Sequence, residues 1–320
     1  TVVATDQIAI SRELRCKPSL LPELSAPVLE ESAVAYTARG EAWQATWDKS
    51  TGALTSYIVK GRELLKDPLM PCFGRAVTEN DLGAWLDRRM TAWLYPEFVP
   101  SGVSAAAGDD GVSVELVYPL DYADVHMAWK ASAGGLLTLQ MWLKDNGKLA
   151  QAPNLFRVGV EFAMPGEYST VDFYGDGPFD TYCDRRTAAR LGHWVQDVTE
   201  RYDFGAARPQ EHGTNTGIRS YKLLAPDGTG LQITSPEEFS ASALPFTRRT
   251  LDLTVGQWRH SRELLPLMHK ENRSLGLTAV NCDLRQMGLG CVNSWGAVPE
   301  DGYMVHPAEY SFTLQLSPIL

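Results

Sequence analysis

Alternation of side chains with a period of two is the feature that most constrains this chain. In the run Val112 to Tyr118, the residues Val112, Val114, Leu116 and Tyr118 fall on one face. Leu137, Leu139, Met141 and Leu143 do the same in the next run, as do Val158, Val160 and Phe162, and near the end Phe312, Leu314 and Leu316. Such spacing places each set on one side of a β-sheet and the residues between them on the other. A hairpin is written between Trp43 and Val59, where Trp43 to Trp47 and Ala53 to Val59 flank the turn residues Asp48-Lys49-Ser50-Thr51-Gly52. Helical patterns are scarce. Only Leu82 to Tyr95 and Arg262 to Lys270 can hold a short helix, and Pro266 interrupts the second. With 27 glycines and 19 prolines set between the strands, the pattern predicts an all-β fold, a large antiparallel β-sandwich.

Residues 11 to 29 carry Pro18, Pro22 and Pro27 with little periodicity and read as an extended connector. Thr1 to Ile10 reads as a strand cut from something upstream, without a signal peptide, so a fragment of a longer polypeptide is expected. The expected division is therefore 1–29 as the end of a preceding domain plus connector, and 30–320 as the sandwich. The net charge of −10 leaves no basic stripe for nucleic acid and no attraction to an anionic membrane. No apolar run is long enough to span a bilayer. Five cysteines, Cys16, Cys72, Cys183, Cys282 and Cys291, lack Cys-x-x-Cys spacing, so reduced thiols are expected, in the cytoplasm first and the periplasm second.

Four segments stand outside the strand pattern. They are Arg75-Ala-Val-Thr-Glu-Asn-Asp-Leu-Gly83, Tyr174-Gly-Asp-Gly-Pro-Phe-Asp-Thr-Tyr-Cys-Asp-Arg185, Pro209-Gln-Glu-His-Gly213 running to Ile218-Arg219, and Arg285 to Gly296, which ends Val292-Asn293-Ser294-Trp295-Gly296. A tryptophan at the end of a glycine-punctuated turn offers a flat apolar face suited to the C–H face of a pyranose, or else plugs a sandwich end. In this order the segments resemble the C-terminal domain of bacterial β-galactosidases of glycoside hydrolase family 2. There they usually read Arg-Ala-Pro-Thr-Asp-Asn-Asp, Tyr-Gly-x-Gly-Pro-x-Glu-Asn-Tyr-x-Asp-Arg, Pro-Gln-Glu-Asn-Gly and Gly-Gly-Asp-Asp-Ser-Trp-Gly. The resemblance covers roughly residues 30 to 317.

That resemblance implies a supersandwich of the galactose-mutarotase type, preceded by the last strand of an immunoglobulin-like domain. It also implies a role in hydrolysing terminal β-D-galactosides, with both catalytic glutamates on an upstream barrel that this chain lacks. Trp295 is then a substrate platform with Asn293 beside it. Arg75, Asn80, Asp81 and Gly83 belong to a loop that closes over the active site. No catalytic residue is expected here, and no cofactor in this chain, the family's Mg and Na sites lying mostly outside it. The implied partners are the barrel of the same polypeptide, a β-galactoside and further copies of the enzyme. Val292 and Asn293 replace the usual aspartates, which removes charge from that pair. Val77 replaces a proline and Glu79 an aspartate, giving the loop a less rigid start.

The residues themselves add limits. Arg75 can pair bidentately with Glu79 or Asp81, and Gly83 supplies hinge freedom. Gly175 and Gly177 lack the strand-to-helix context and lysine of a phosphate loop. Instead they fix a backbone path, with Asp184 and Arg185 or Arg186 tying the following loop down. Glu30-Glu31, Asp109-Asp110 and Glu237-Glu238 are adjacent pairs, which point to opposite strand faces or into solvent rather than across a glycosidic bond. The six histidines show no metal spacing. Two other functions remain open: an aldose 1-epimerase with Glu211 and His212 as acid and base, or a stand-alone carbohydrate-binding module.

Overall fold

A strand with apolar residues on one face must bury that face against a second layer. In the computed structural model, which describes residues 6–8, 16–22, 25–256, 258–268, 276–290, 292–293 and 296–320, the alternating runs do so. Val112, Val114, Leu116, Tyr118, Leu137, Leu139, Met141, Leu143, Phe312, Leu314 and Leu316 are all buried. They face Trp43, Ala45 and Trp47 of the predicted hairpin, and Trp47 meets Trp129 edge-on at 5.8 Å between ring centroids. The hairpin pairs Trp43–Asp48 with Leu54–Val59. Its turn is set by Asp48, whose Oδ1 accepts the N–H groups of Ser50 and Thr51, and by Gly52 at φ +72°.

All strand pairings are antiparallel. A small sheet runs in chain order through Val28–Glu31, Ala35–Arg39, Trp43–Asp48 and Leu54–Val59. Through Leu54 and Leu69 it meets the strand Asp67–Cys72, which pairs with Arg157–Pro165. The larger arrangement runs Val103–Gly108, Gly111–Pro119, Ala123–Ala131, Leu137–Asp145, and then the last strand Tyr310–Ile319. Next comes Gly230–Leu244, which changes neighbours along its length. Its residues 230–234 lie between Tyr310–Ile319 and Thr214–Leu224, and residues 240–244 pair instead with Leu277–Gln286. Leu277–Gln286 continues into Arg157–Pro165, and Thr214–Leu224 into Thr170–Gly177 and Arg190–Asp197. The result is the large antiparallel sandwich that the alternation anticipates, a supersandwich as the resemblance implies.

The first strand of the sandwich starts at Val28 and pairs with Ala35–Arg39. Part of the proline-bearing connector also lies on the sandwich: Leu21 N–H donates to Gly134 O, and Ser19 bonds to Gln232. The two stretches that admit helix hold short ones. Glu79–Gly83, Leu86–Arg89 and Thr91–Leu94 occupy the first, and a 3-10 helix, Ser261–Met268, the second. Cys16, Cys72, Cys183 and Cys282 are free thiols; Cys291 lies outside the described residues. Among the described residues no helix is long and apolar enough to cross a membrane.

Candidate functional site

The four segments meet at one end of the sandwich. Thr78, Glu79 and Asn80 line one wall of a cleft of about 630 Å³, Asp180 and Arg185 a second, and Gln210 to His212 a third. Leu289, Val292 and Asn293 close it. Residues more than a hundred positions apart thus share one hollow, as expected of a ligand site assembled from loops on a rigid sheet.

Each segment is held by its own polar chemistry. Thr78 caps the helix Glu79–Gly83: its hydroxyl accepts from Asp81 N at 3.1 Å, and Asp81 Oδ2 accepts from Thr78 N at 2.9 Å. The same carboxylate takes a two-pronged grip from Arg75, Nε to Oδ2 at 3.0 Å and Nη2 to Oδ1 at 2.7 Å. Arg75 Nη1 donates to the carbonyls of Met287 and Gly288 at 2.7 and 3.1 Å. Both side chains are buried. Of the two partners open to Arg75, the fold selects Asp81, and Glu79 turns outward to Arg208 at 3.5 Å. Arg75 and Asp81 therefore brace the loop from beneath, while Asn80 reaches the cleft.

Gly83 ends the helix Glu79–Gly83 and is exposed. The backbone departure lies two residues on, where Trp85 adopts φ 61°, ψ 27°, a conformation costly for a bulky residue. Gly296, at φ +79°, packs on the Gly83–Ala84 peptide so closely that a Cβ there would sit 2.3 Å from the Gly83 carbonyl carbon. Backbone contact thus fastens the end of the fourth segment to the loop of the first. Trp295 and Ser294 lie outside the described residues.

The turn Gly288-Leu289-Gly290 is fixed by Asp184, whose two oxygens accept from Leu289 N at 3.1 Å and Gly290 N at 2.8 Å. This corrects the pairing read from sequence. Asp184 serves that backbone, while Arg185 binds Asp180 at 2.6 Å and Arg186 approaches Asp176 at 3.7 Å. The glycines of the second segment do fix a path, since a Cβ on Gly177 would meet the Trp194 indole at 2.7 Å.

Glu211 is 8% exposed. Its Oε2 accepts from Arg157 Nη2 at 2.8 Å, and its Oε1 accepts from Gln286 Nε2 at 3.0 Å and Thr214 Oγ1 at 3.2 Å. A carboxylate so engaged is poorly placed to act as a base, and the His212 ring packs against Tyr202 at 5.1 Å between centroids. Arg157 has a second neighbour, Asp283 Oδ2 at 3.4 Å. Burial pushes the Asp283 carboxyl up to about 7 against the opposing pull of Arg157. Arg157 and Gln286 were missed by sequence reading. The one available signal was a charged residue opening the strand Arg157–Pro165, which is buried on both faces over its first four residues.

Among the described residues, every acidic side chain lining the cleft is thus ion-paired: Glu79 with Arg208, Asp180 with Arg185, Glu211 with Arg157. Among the described residues no cluster of three or more His, Cys, Asp or Glu is arranged to hold a metal ion.

Comparison with known proteins decides the family, because residues 39–316 match the profile of the β-galactosidase small chain. The chain belongs to the β-galactosidase small-chain family. Similar proteins include the β-galactosidase of Halalkalibacterium halodurans, 29% identical over 275 residues, which is 83% of this chain and 26% of that protein. The β-galactosidase of Priestia megaterium is 27% identical over 307 residues, 94% of this chain and 28% of that protein. The chain spans about a quarter of the length of these relatives. In structure it is similar to a putative aldose 1-epimerase from Escherichia coli K12, with a TM-score of 0.51 over 89% of this chain and 98% of that one. At 12% identity that likeness is one of fold, galactose-mutarotase-like and all-β.

Proposed function

We propose that this chain is the C-terminal supersandwich portion of a retaining β-galactosidase of glycoside hydrolase family 2, completing an active site whose catalytic glutamates lie on an upstream barrel. One observation carries the reading: the four family segments converge on a single cleft in which each carboxylate already has a cationic partner. A retaining glycosidase needs an acid and a nucleophile about 5 Å apart and free to react. A cleft without such a pair suits a wall rather than an engine. In this reading Trp295 stacks on the sugar, Asn293 hydrogen-bonds beside it, and the loop running from Gly83 closes and excludes water. Arg75 and Asp81 hold that loop's root. The substrate is a terminal β-D-galactoside, and the partner is the rest of a longer cytoplasmic polypeptide.

Hydrolysis of a chromogenic β-galactoside tests this, using the chain alone and mixed with the upstream part of its polypeptide. Activity is expected only in the mixture; turnover by the chain alone rejects the division of labour. Replacing Trp295 with Ala in the whole enzyme should remove about 1–2 kcal/mol of sugar binding and raise KM several-fold. An unchanged KM removes the platform.

A further inference from the structure

Three buried carboxyl groups, Asp81, Glu211 and Asp283, have two buried arginines between them, Arg75 and Arg157. Arg75 is committed to Asp81 through both oxygens, so Arg157 faces the other two. Its Nη2 donates to Glu211 Oε2 at 2.8 Å, while its Nη1 stands 3.4 Å from Asp283 Oδ2 without making a hydrogen bond.

Asp283 owes this poor pairing to its place in the sheet. It lies opposite Gly159 on one neighbouring strand and Ser240 on the other. The register shifts at Val158 and Gly159, and a Cβ on Gly159 would fall 2.2 Å from Asp283 Oδ1. The carboxyl thus fills the space of a missing side chain, and among the described residues neither of its oxygens has a hydrogen-bond partner. The other titratable groups facing it bring no help. Glu161 is gripped on both oxygens by Arg248, at 3.0 and 2.9 Å. Burial pushes the Cys72 thiol up to about 12 and raises that of Cys282, so both stay uncharged near neutrality. A buried carboxylate facing one ill-aligned cation costs more in desolvation than that cation offsets, and Asp283 keeps its proton up to about 7.

Loss of that proton to solvent leaves two carboxylates competing for Arg157. At 3.4 Å and away from water, the new charge attracts the guanidinium strongly. Glu211, which lines the cleft, then keeps in full only its bonds from Gln286 Nε2 and Thr214 Oγ1.

We propose that Asp283 is a protonation switch that sets how firmly Arg157 holds Glu211 in the wall of the cleft. With the proton on, Arg157 serves Glu211 and the wall is fixed; with it off, Arg157 is shared and Glu211 loosens. The switch needs neither turnover nor an upstream barrel, so it is independent of the hydrolase reading.

The test is an NMR titration, from about pH 5 to 9, of the full 320-residue chain labelled with carbon-13 at its Asp and Glu carboxyls. Ordinary carboxyls have titrated by about pH 5, so a late one stands apart. Asp283, assigned by its loss in Asp283→Asn, should titrate near 7. The Glu211 carbon, assigned by Glu211→Gln, should move with the same midpoint in the parent and stay still in Asp283→Asn. In His212→Asn, which removes the adjacent imidazole, that movement should remain. A field effect alone would move the carbon without loosening anything, so exchange of the Gln286 side-chain amide protons with water is measured as well. Above the midpoint it should run at least about fivefold faster in the parent than in Asp283→Asn at the same pH, the weakening of roughly one hydrogen bond. Should a variant fail to fold, the parent alone decides, because an Asp and a Glu carbon must share one midpoint near neutrality. No Asp carboxyl titrating above about pH 6, a Glu211 carbon that moves without Asp283 or only with His212, or equal amide exchange in parent and Asp283→Asn each overturns the switch.

Discussion

Two buried arginines pair with carboxylates of the cleft segments, Arg75 with Asp81 and Arg157 with Glu211, and the fold treats them differently. Arg75 engages all three of its guanidinium nitrogens, on both oxygens of Asp81 and on the carbonyls of Met287 and Gly288. Arg157 makes one short bond, to Glu211, while its Nε and Nη1 and both oxygens of Asp283 lack hydrogen-bond partners in the protein. Burying a charged pair stabilises only when geometry and hydrogen bonding repay desolvation. The first pair meets that condition and works as a brace. The second falls short of it at Asp283, whose carboxyl is driven toward neutrality. Equal burial, then, does not mean equal worth; completeness of hydrogen bonding separates the two.

The comparison breaks most readily at Arg75. Arg75→Met leaves Asp81 buried without its counterion and orphans two carbonyls, so a loss of about 3–5 kcal/mol is expected in urea unfolding. A loss below about 1 kcal/mol would erase the distinction between the two arginines.

Asp283 supplies the next test, and here pH is the lever. The folded carboxyl titrates near 7 while the unfolded one titrates near 3.8, so between these values the folded chain binds more protons. The contribution of this group to stability is present at acid pH and fades as pH rises through 7. Asp283→Asn keeps the shape and removes the titration. Its melting temperature relative to the parent should therefore climb in the variant's favour from pH 5 to pH 8. A difference that is flat with pH would show that Arg157 pairs with Asp283 as well as Arg75 does with Asp81.

The smallest effect concerns Trp85, which follows the braced loop in a left-handed conformation. Trp85→Gly should relieve that strain, partly offset by loss of the Arg88 guanidinium stacked 4.3 Å above the indole. A gain of up to about 1 kcal/mol is expected, read as a small rise in melting temperature. A fall would mean that the stacked Arg88 outweighs the backbone cost.

How far the sequence could be read follows from the range of the forces involved. The alternation at Val112–Tyr118 and the Asp48 turn depend on residues a few positions apart, and each stands as written in the chain. The pairing of Asp184 with the backbone at Leu289 and Gly290 spans over a hundred residues and leaves no local trace. The pairing of Arg157 with Glu211, 54 residues away, leaves no local trace either. In the cleft the polar residues and glycines drew attention as motifs, and the cleft does gather them. Which of them would line it and which would lie beneath it was not legible. Arg75 and Asp81 differ from Asn80 only in the direction the assembled sheet gives them.

The last strand, Tyr310–Ile319, lies between Leu137–Asp145 and the first third of Gly230–Leu244. On the ribosome, both neighbours emerge well before it. Through that interval each presents an open edge of backbone donors and acceptors to any other extended segment. This strand thus acts as a keystone set between two neighbours made before it, and the nascent sandwich needs shelter until it arrives.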